Sequence, residues 1–137
     1  MDIILSHAGA DFDAYASMVA AQRLYPQAQL VSLGKPAPAV GEFLRLHRGL
    51  FPVLDASQVD PARVSRMVLV DTADPQRLGP FRMLVQQAGI EVHVYDHHPV
   101  SPQLIEGDVN IRHLWGAAVT VVLDRLRQVQ PSVQLKP

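Results

Sequence analysis

Aspartate and histidine residues cluster at three places in this sequence, each directly after a short apolar run. These residues are His7, Asp11, Asp13, Asp71, Asp96, His97 and His98. No Lys or Arg precedes Arg23, and none lies between Arg82 and Arg112. If the three groups converge, their carboxylates repel one another unless cations neutralise them. Carboxylates and imidazoles without sulfur suit manganese, with magnesium, cobalt or iron as alternatives. The pattern therefore indicates a site for divalent cations, in which two ions could share a carboxylate.

Alternating strand and helix patterns predict how these three distant groups could meet. The predicted strands are residues 3–6, 30–33, 51–54, 68–70, 91–95 and 109–111. The predicted helices are residues 13–25, 42–48, 78–88 and 116–127. This order predicts an α/β fold of three layers, in which a mainly parallel sheet carries helices on both faces. Ligands of such sheets bind beyond the carboxyl ends of the strands, and all three groups follow strand ends.

Composition restricts the classes of protein to which the chain can belong. Its 137 residues are 48% apolar and 18% charged, with a net charge of −1 and no cysteine. These values predict one globular domain and exclude disulfide frameworks and cysteine–zinc sites. The near-neutral charge argues against strong independent binding of long nucleic acid. No apolar run reaches the ~18 residues of a membrane span and no signal peptide is recognisable, so we expect a cytoplasmic protein.

Three segments together resemble the motifs of the DHH phosphoesterase family. Residues 6–17 (SHAGADFDAYAS) resemble its first motif, residues 70–72 (VDT) its second, and residues 96–99 (DHHP) the third, from which the family takes its name. Residues around the first motif, including Leu24-Tyr25-Pro26, are similar to one bacterial branch. In that branch an N-terminal DHH domain precedes a second DHH-associated domain, CBS domains and a tRNA nucleotidyltransferase or poly(A) polymerase region.

The resemblance implies a role for each residue of the three clusters. His7 and Asp11 would bind a first metal ion, Asp13 and His97 a second, and Asp71 would bridge the two. Asp96 would orient a neighbouring imidazole, as metal-site histidines commonly require. His98 would contact the substrate phosphate or assist the leaving group. We expect two Mn²⁺ ions, with Mg²⁺ or Co²⁺ as alternatives.

The chain departs from the family pattern at a fourth motif. That motif supplies a further Asp for the second metal, in an Asp-Thr-Gly type of context that does not occur here. Asp108 and Asp124 lie in the wrong setting to replace it. We therefore expect a fragment of a longer protein with fused downstream domains, in which residues 1–127 form an incomplete DHH domain and residues 128–137 a polar segment.

These observations predict a metal-dependent phosphoesterase. It would hydrolyse phosphodiester or phosphoanhydride bonds of nucleotides or short nucleic-acid ends, as part of an RNA-processing protein. The alternative is a non-catalytic module that binds metal or nucleotide and regulates a fused enzyme. Nucleotidyl transfer by this chain is disfavoured, because no Gly-Ser or Gly-Gly turn precedes paired acids on a strand. A dinucleotide-binding domain is also disfavoured, because the first loop contains Gly9 but no G-x-G-x-x-G motif.

Overall fold

The computed structural model describes residues 1–132 and contains a six-stranded sheet in which neighbouring strands run parallel. The strands are β1 (Asp2–Leu5), β2 (Gln29–Ser32), β3 (Val53–Asp55), β4 (Arg66–Val70), β5 (Glu91–Asp96) and β6 (Val109–Arg112). The α-helices are α1 (Phe12–Leu24), α2 (Pro38–Leu46) and α3 (Ala118–Val129). The predicted α/β class is confirmed.

The central strands β1 and β4 are apolar after their first residues, Asp2 and Arg66, because the sheet is covered on both faces. Successive side chains of a strand point to opposite faces, so β1 contributes to two separate cores. Ile3 and Leu5 pack on the side of Phe81, whereas Ile4 packs on the side of Met18. Each of these five side chains is at most 2% exposed. Helices α1 and α3 cover the second face and also pack against each other.

The covering of the other face differs from the sequence prediction. A helix was expected over residues 78–88, and the structure has a 3₁₀ helix, Gly79–Gln86. Its two buried side chains, Phe81 and Leu84, are three residues apart, which places them on one side at three residues per turn. Gly79 begins the segment with a φ of +52°, and Pro80 follows. The predicted helix type is therefore wrong, although the segment covers the sheet as expected.

The order of the strands brings the three chemical clusters to one place. It runs β3-β2-β1-β4-β5-β6, so β1, β4 and β5 are direct neighbours and their carboxyl ends share one edge. The strand order reverses between β1 and β4, and open α/β sheets bind ligands in the crevice at such a point. Among residues 1–132, no helix has the length and apolar character needed to span a bilayer.

The predicted division at residue 127 remains a prediction. Helix α3 continues to Val129, two residues beyond the predicted end of the domain. Of the predicted polar segment, residues 133–137 lie outside the described part of the chain.

Candidate metal centre

Asp71 is the first residue after β4 and occupies the middle of the carboxyl edge. Its side chain is almost completely buried, and its backbone N–H donates to the carbonyl of Tyr95 at 3.0 Å. Its φ of +58° lies in the left-handed region, which few residues other than glycine enter. Aspartate is among the side chains that tolerate this region best. Unfavourable backbone conformations of this kind concentrate at functional sites, so the position is a candidate for a functional role.

The carboxylate of Asp71 lies between two histidines that come from different strands. Its Oδ2 is 3.5 Å from Nε2 of His7, which follows β1. Its Oδ1 is 3.1 Å from Nε2 of His97, which follows β5. The two oxygens of one buried carboxylate thus face two separate imidazoles. This is the arrangement that a carboxylate shared by two metal ions needs.

The far side of each imidazole is fixed by a backbone carbonyl. Nδ1 of His7 donates to the carbonyl of Ala8, and Nδ1 of His97 donates to the carbonyl of Trp115, each at 2.9 Å. Because a carbonyl oxygen can only accept a hydrogen bond, each of the two rings carries a proton on Nδ1. When such a ring is neutral, its Nε2 presents a lone pair to Asp71. Metal-binding histidines are commonly oriented in this way. A lone pair facing a carboxylate oxygen is repulsive unless a proton or a cation lies between them.

Both histidines respond to this environment with a raised pKa. For His7 the main cause is its side-chain hydrogen bond with Asp71, which outweighs the opposing effect of burial. For His97 burial acts to lower the pKa, but the hydrogen bond to Trp115 and the negative charges of Asp71 and Asp13 outweigh it. The environment of both rings therefore favours positive charge.

The donor atoms are close enough to surround a divalent cation. Two groups of three residues each offer ligand atoms that lie within 4.8 Å of one another. The first group is His7, Asp11 and Asp71, and the second is Asp71, His97 and His98. Ligands bound at ~2.1 Å around one ion are themselves about 3.0–3.4 Å apart, close to the separations of Asp71 from the two imidazoles. The residues present therefore fit a cation that prefers oxygen and nitrogen ligands.

Asp11 and Asp13 also stabilise the ends of helices. Oδ1 of Asp11 accepts the N–H of Ala14 at 3.0 Å and caps α1, which leaves its other oxygen available to a ligand. Asp13 accepts the N–H groups of Ala118 and Val119, at 2.8 and 2.9 Å, and so caps the distant α3. Its Oδ2 is also 3.7 Å from Nε2 of His97. Both carboxylates are thus held in place by helix starts, where negative charge is stabilised.

Asp96 and His98 form a separate pair at the end of β5. The carboxylate of Asp96 is 1% exposed, and its Oδ1 accepts both the N–H of His97 at 2.9 Å and Nδ1–H of His98 at 2.7 Å. Asp96 therefore orients the imidazole of His98. The side chain of His98 is 48% exposed, so its Nε2 is accessible to a bound molecule.

A polar cleft of about 380 Å³ joins these side chains. Its lining residues are His7, Asp11, Asp13, Asp71, Arg77, His97, His98 and Gly116. Sequence reasoning missed Arg77, the one basic residue of this lining. The available signal was its position in the loop after β4, six residues beyond Asp71. Its charge opposes the rise in the pKa of His7, so its electrostatic field acts on the cleft.

A second depression lies between α1, α2 and α3 and has a volume of about 430 Å³. Apolar side chains dominate its lining, among them Phe12, Tyr15, Phe43 and Leu123. No acid or histidine lines it, so this groove offers no usual metal ligands. The chemistry is therefore concentrated in the polar cleft at the sheet edge.

Comparison with known proteins identifies relatives of the chain. No protein-family model matches it. It is 35% identical over 129 residues to the A-adding tRNA nucleotidyltransferase of Geobacter sulfurreducens, and 31% identical over 127 residues to that of Aquifex aeolicus. These matches cover 93% and 92% of the chain, but only 15% and 14% of the relatives' own length. The predicted relationship to tRNA nucleotidyltransferases is confirmed.

The fold of the chain also has a match among solved structures. It is similar to an exopolyphosphatase-related protein from Bacteroides fragilis, with a TM-score of 0.72 and 16% identity. The match covers 94% of the chain and 39% of that structure. At this level of identity the likeness establishes the architecture alone.

Two acids that the sequence analysis set aside form hydrogen bonds away from the polar cleft. Asp108 accepts the N–H of Val92 at 2.8 Å, at the start of β5. Asp124 accepts the side-chain amide of Gln128 at 2.8 Å, on the surface of α3. Neither residue lines the cleft.

Proposed function

We propose that this chain is a metal-dependent phosphoesterase domain. Its substrates would be the phosphodiester or phosphoanhydride bonds of nucleotides or short nucleic-acid ends. The observation that carries the proposal is the buried carboxylate of Asp71, with one oxygen toward each of two imidazoles whose far nitrogens are fixed by backbone carbonyls. A structural ion pair does not require two imidazoles presented in this way.

Five residues would hold two divalent cations. His7 and Asp11 would bind one ion and His97 and Asp13 the other, with Asp71 contributing an oxygen to each. Mn²⁺ is the proposed ion, with Mg²⁺ or Co²⁺ as alternatives. Bound ions of this kind lower the pKa of water and neutralise charge on phosphoryl oxygens.

Two further residues would act on the substrate from the cleft, and a third would position one of them. Arg77 would pair with a phosphate oxygen, because a guanidinium presents several donors to such a group. His98 would donate a proton to the leaving oxygen or hydrogen-bond to the phosphate. Asp96 would position His98, since its buried carboxylate accepts the Nδ1–H of that ring. Arg77 and His98 would thus contact the phosphate directly, whereas Asp96 would act only by positioning His98.

The domain would act as part of a longer RNA-processing polypeptide. The support is the share of the two tRNA nucleotidyltransferases that the chain matches, 15% and 14% of their length. The competing function is a non-catalytic module that binds metal or nucleotide within such a protein. The same cleft would serve either function, so hydrolysis must be measured directly.

The test is Mn²⁺-dependent hydrolysis of bis(p-nitrophenyl) phosphate by the chain and its Asp71→Asn variant. Asparagine tolerates the left-handed conformation and keeps the size of the side chain, but it removes the shared negative charge. Loss of an outer partner of a metal site costs about 10–100-fold in activity, so loss of a bridging ligand is expected to lower kcat by at least about 100-fold.

Asp74→Asn is the matched control for this measurement. Asp74 lies in the same loop and caps a short turn by accepting the N–H of Gln76 at 2.9 Å, a role that asparagine can also fill. We expect this variant to retain the wild-type rate. Equal rates for the wild type and Asp71→Asn, or Mn²⁺ binding without any turnover, would contradict hydrolysis and favour the binding module.

A further inference from the structure

An exposed aromatic pair borders the polar cleft, in the loop between β6 and α3. The rings of His113 and Trp115 are stacked, with centroids 4.3 Å apart and planes inclined by 17°. Trp115 is 40% exposed and is the only tryptophan in the sequence. The next residue, Gly116, lines the cleft itself. An exposed aromatic surface thus lies next to the candidate metal centre in the chain.

Backbone hydrogen bonds hold this loop against the centre. The N–H of His113 donates to the carbonyl of Asp96 at 3.3 Å, and the N–H of Trp115 donates to the carbonyl of His113 at 2.7 Å. The carbonyl of Trp115 accepts from Nδ1 of His97, whose other nitrogen faces Asp71. The backbone of Trp115 is therefore one imidazole away from the central carboxylate. These bonds hold the loop that carries the aromatic pair beside the cleft.

The chemistry of the loop suits a nucleobase. Residues 109–123 contain no acidic side chain, so the loop does not repel a nucleotide. Bases stack on exposed aromatic side chains, and each such contact contributes about 1–3 kcal/mol to binding. A base-free phosphate can use the cleft but has no group to place on the rings.

We propose that His113 and Trp115 form a stacking surface for the nucleobase of a nucleotide whose phosphate occupies the adjacent cleft. The inference rests on the proposed function for the position of the phosphate. It goes further by assigning a base subsite to the loop after β6. The subsite would favour nucleotides over inorganic or sugar phosphates that fit the same cleft.

The first test uses the fluorescence of the single tryptophan. Adenosine 5′-monophosphate and ribose 5-phosphate are titrated separately into the wild-type chain at one fixed Mn²⁺ concentration. The two probes carry the same phosphate on the same sugar and differ in the base. We expect saturable quenching with the nucleotide and little change with the sugar phosphate. Equal responses to the two probes, or no response to either, would overturn the base subsite.

The second test compares variants by calorimetric titration with the same two probes. Trp115→Ala is expected to weaken nucleotide binding by about 5- to 150-fold, the range that one stacking contact represents. Trp115→Phe should recover part of this loss. Leu114→Ala is the control, because Leu114 is 76% exposed in the same loop and makes no aromatic contact. If Trp115→Ala weakened the sugar phosphate equally, the residue would act only through the backbone at His97 and the inference would fail.

Failure of the inference can be told apart from failure of the proposed function. Mn²⁺-dependent hydrolysis of bis(p-nitrophenyl) phosphate without any selective effect of the nucleotide would remove the base subsite and leave the phosphoesterase. Selective nucleotide quenching without hydrolysis would retain the subsite and favour the binding module.

Discussion

Strands β1, β4 and β5 carry or lead into charged residues at both edges of the sheet. The two edges differ in how these charges are balanced. At the amino edge, Arg66 donates to Asp2 and Glu91, each at 2.9 Å, and Glu91 also lies 2.6 Å from Nε2 of His93. His93 in turn lies 2.6 Å from the hydroxyl of Tyr25. At the carboxyl edge, three aspartates meet three histidines, and Arg77 also lines the cleft.

This difference separates a structural network from a candidate binding site. The amino edge balances its acids with the chain's own guanidinium, so it needs no additional ion. At the carboxyl edge the acids gather around imidazoles whose protons are directed elsewhere. Perturbed ionisable groups occur at both kinds of site. Among residues 1–132, Asp71 pairs with His7 and His97 and with no Lys or Arg, and this distinguishes the candidate metal centre from the amino edge.

The sharpest test of this contrast is the effect of Mn²⁺ on thermal stability. A ligand at 100 times its dissociation constant stabilises the folded state by about 2.7 kcal/mol. For a domain of this size that corresponds to a rise of about 10 °C in Tm, measured by circular dichroism and reversed by a chelator. Asp71→Asn is expected to abolish the rise. An unchanged rise in this variant would place the ion elsewhere.

A smaller effect is expected from Arg66→Met, which removes the cation of the amino edge. Asp2 and Glu91 lose their partner, but all three side chains are partly exposed, so solvent reduces the loss of stability. Tm of the metal-free protein should fall by a few degrees at most, while the Mn²⁺-induced rise persists. Loss of the Mn²⁺ effect in this variant would show that the two edges are not independent.

The smallest expected effect is the pH dependence of the difference in Tm between the wild type and Arg66→Met. The hydrogen bond from Arg66, followed by that from His93, lowers the pKa of Glu91. A carboxylate with a lowered pKa contributes stability above its unfolded-state pKa, and the contribution is lost as pH falls through the folded-state value. The Tm difference between wild type and Arg66→Met should therefore be present at neutral pH. It should become smaller as the pH falls below the usual pKa range of glutamate. A constant difference would exclude this ion pair as its cause.

The sheet could be predicted from the sequence because local patterns determine it. Each of the six observed strands overlaps a predicted apolar run, and alternation with helices requires parallel connections. The error over residues 78–88 has a local cause, since Phe81 and Leu84 suit either helix type. Spacing alone cannot distinguish three from 3.6 residues per turn over so short a segment.

The candidate site was less accessible to sequence reasoning. Convergence of three strand ends follows from a parallel sheet, so the cluster around Asp71 could be expected. The left-handed conformation of Asp71 could not be predicted, because it depends on the surroundings of the loop. The cap that Asp13 provides for α3 joins residues 105 apart in the chain. Arg77 ends an exposed 3₁₀ turn, Pro75–Arg77, and Trp115 lies in an exposed loop, so no periodic pattern marks either residue.

The contact between Asp13 and α3 has a consequence for biosynthesis. One cleft-lining carboxylate is fixed only after a helix that begins at residue 118 has docked. Contacts between such distant parts of a chain form late, because a long loop must close first. While the ribosome is still making the last helix, the cleft lacks the partner that holds Asp13 in place. Maturation of the centre is thereby coupled to translation of the final α-helix in the described part of the chain.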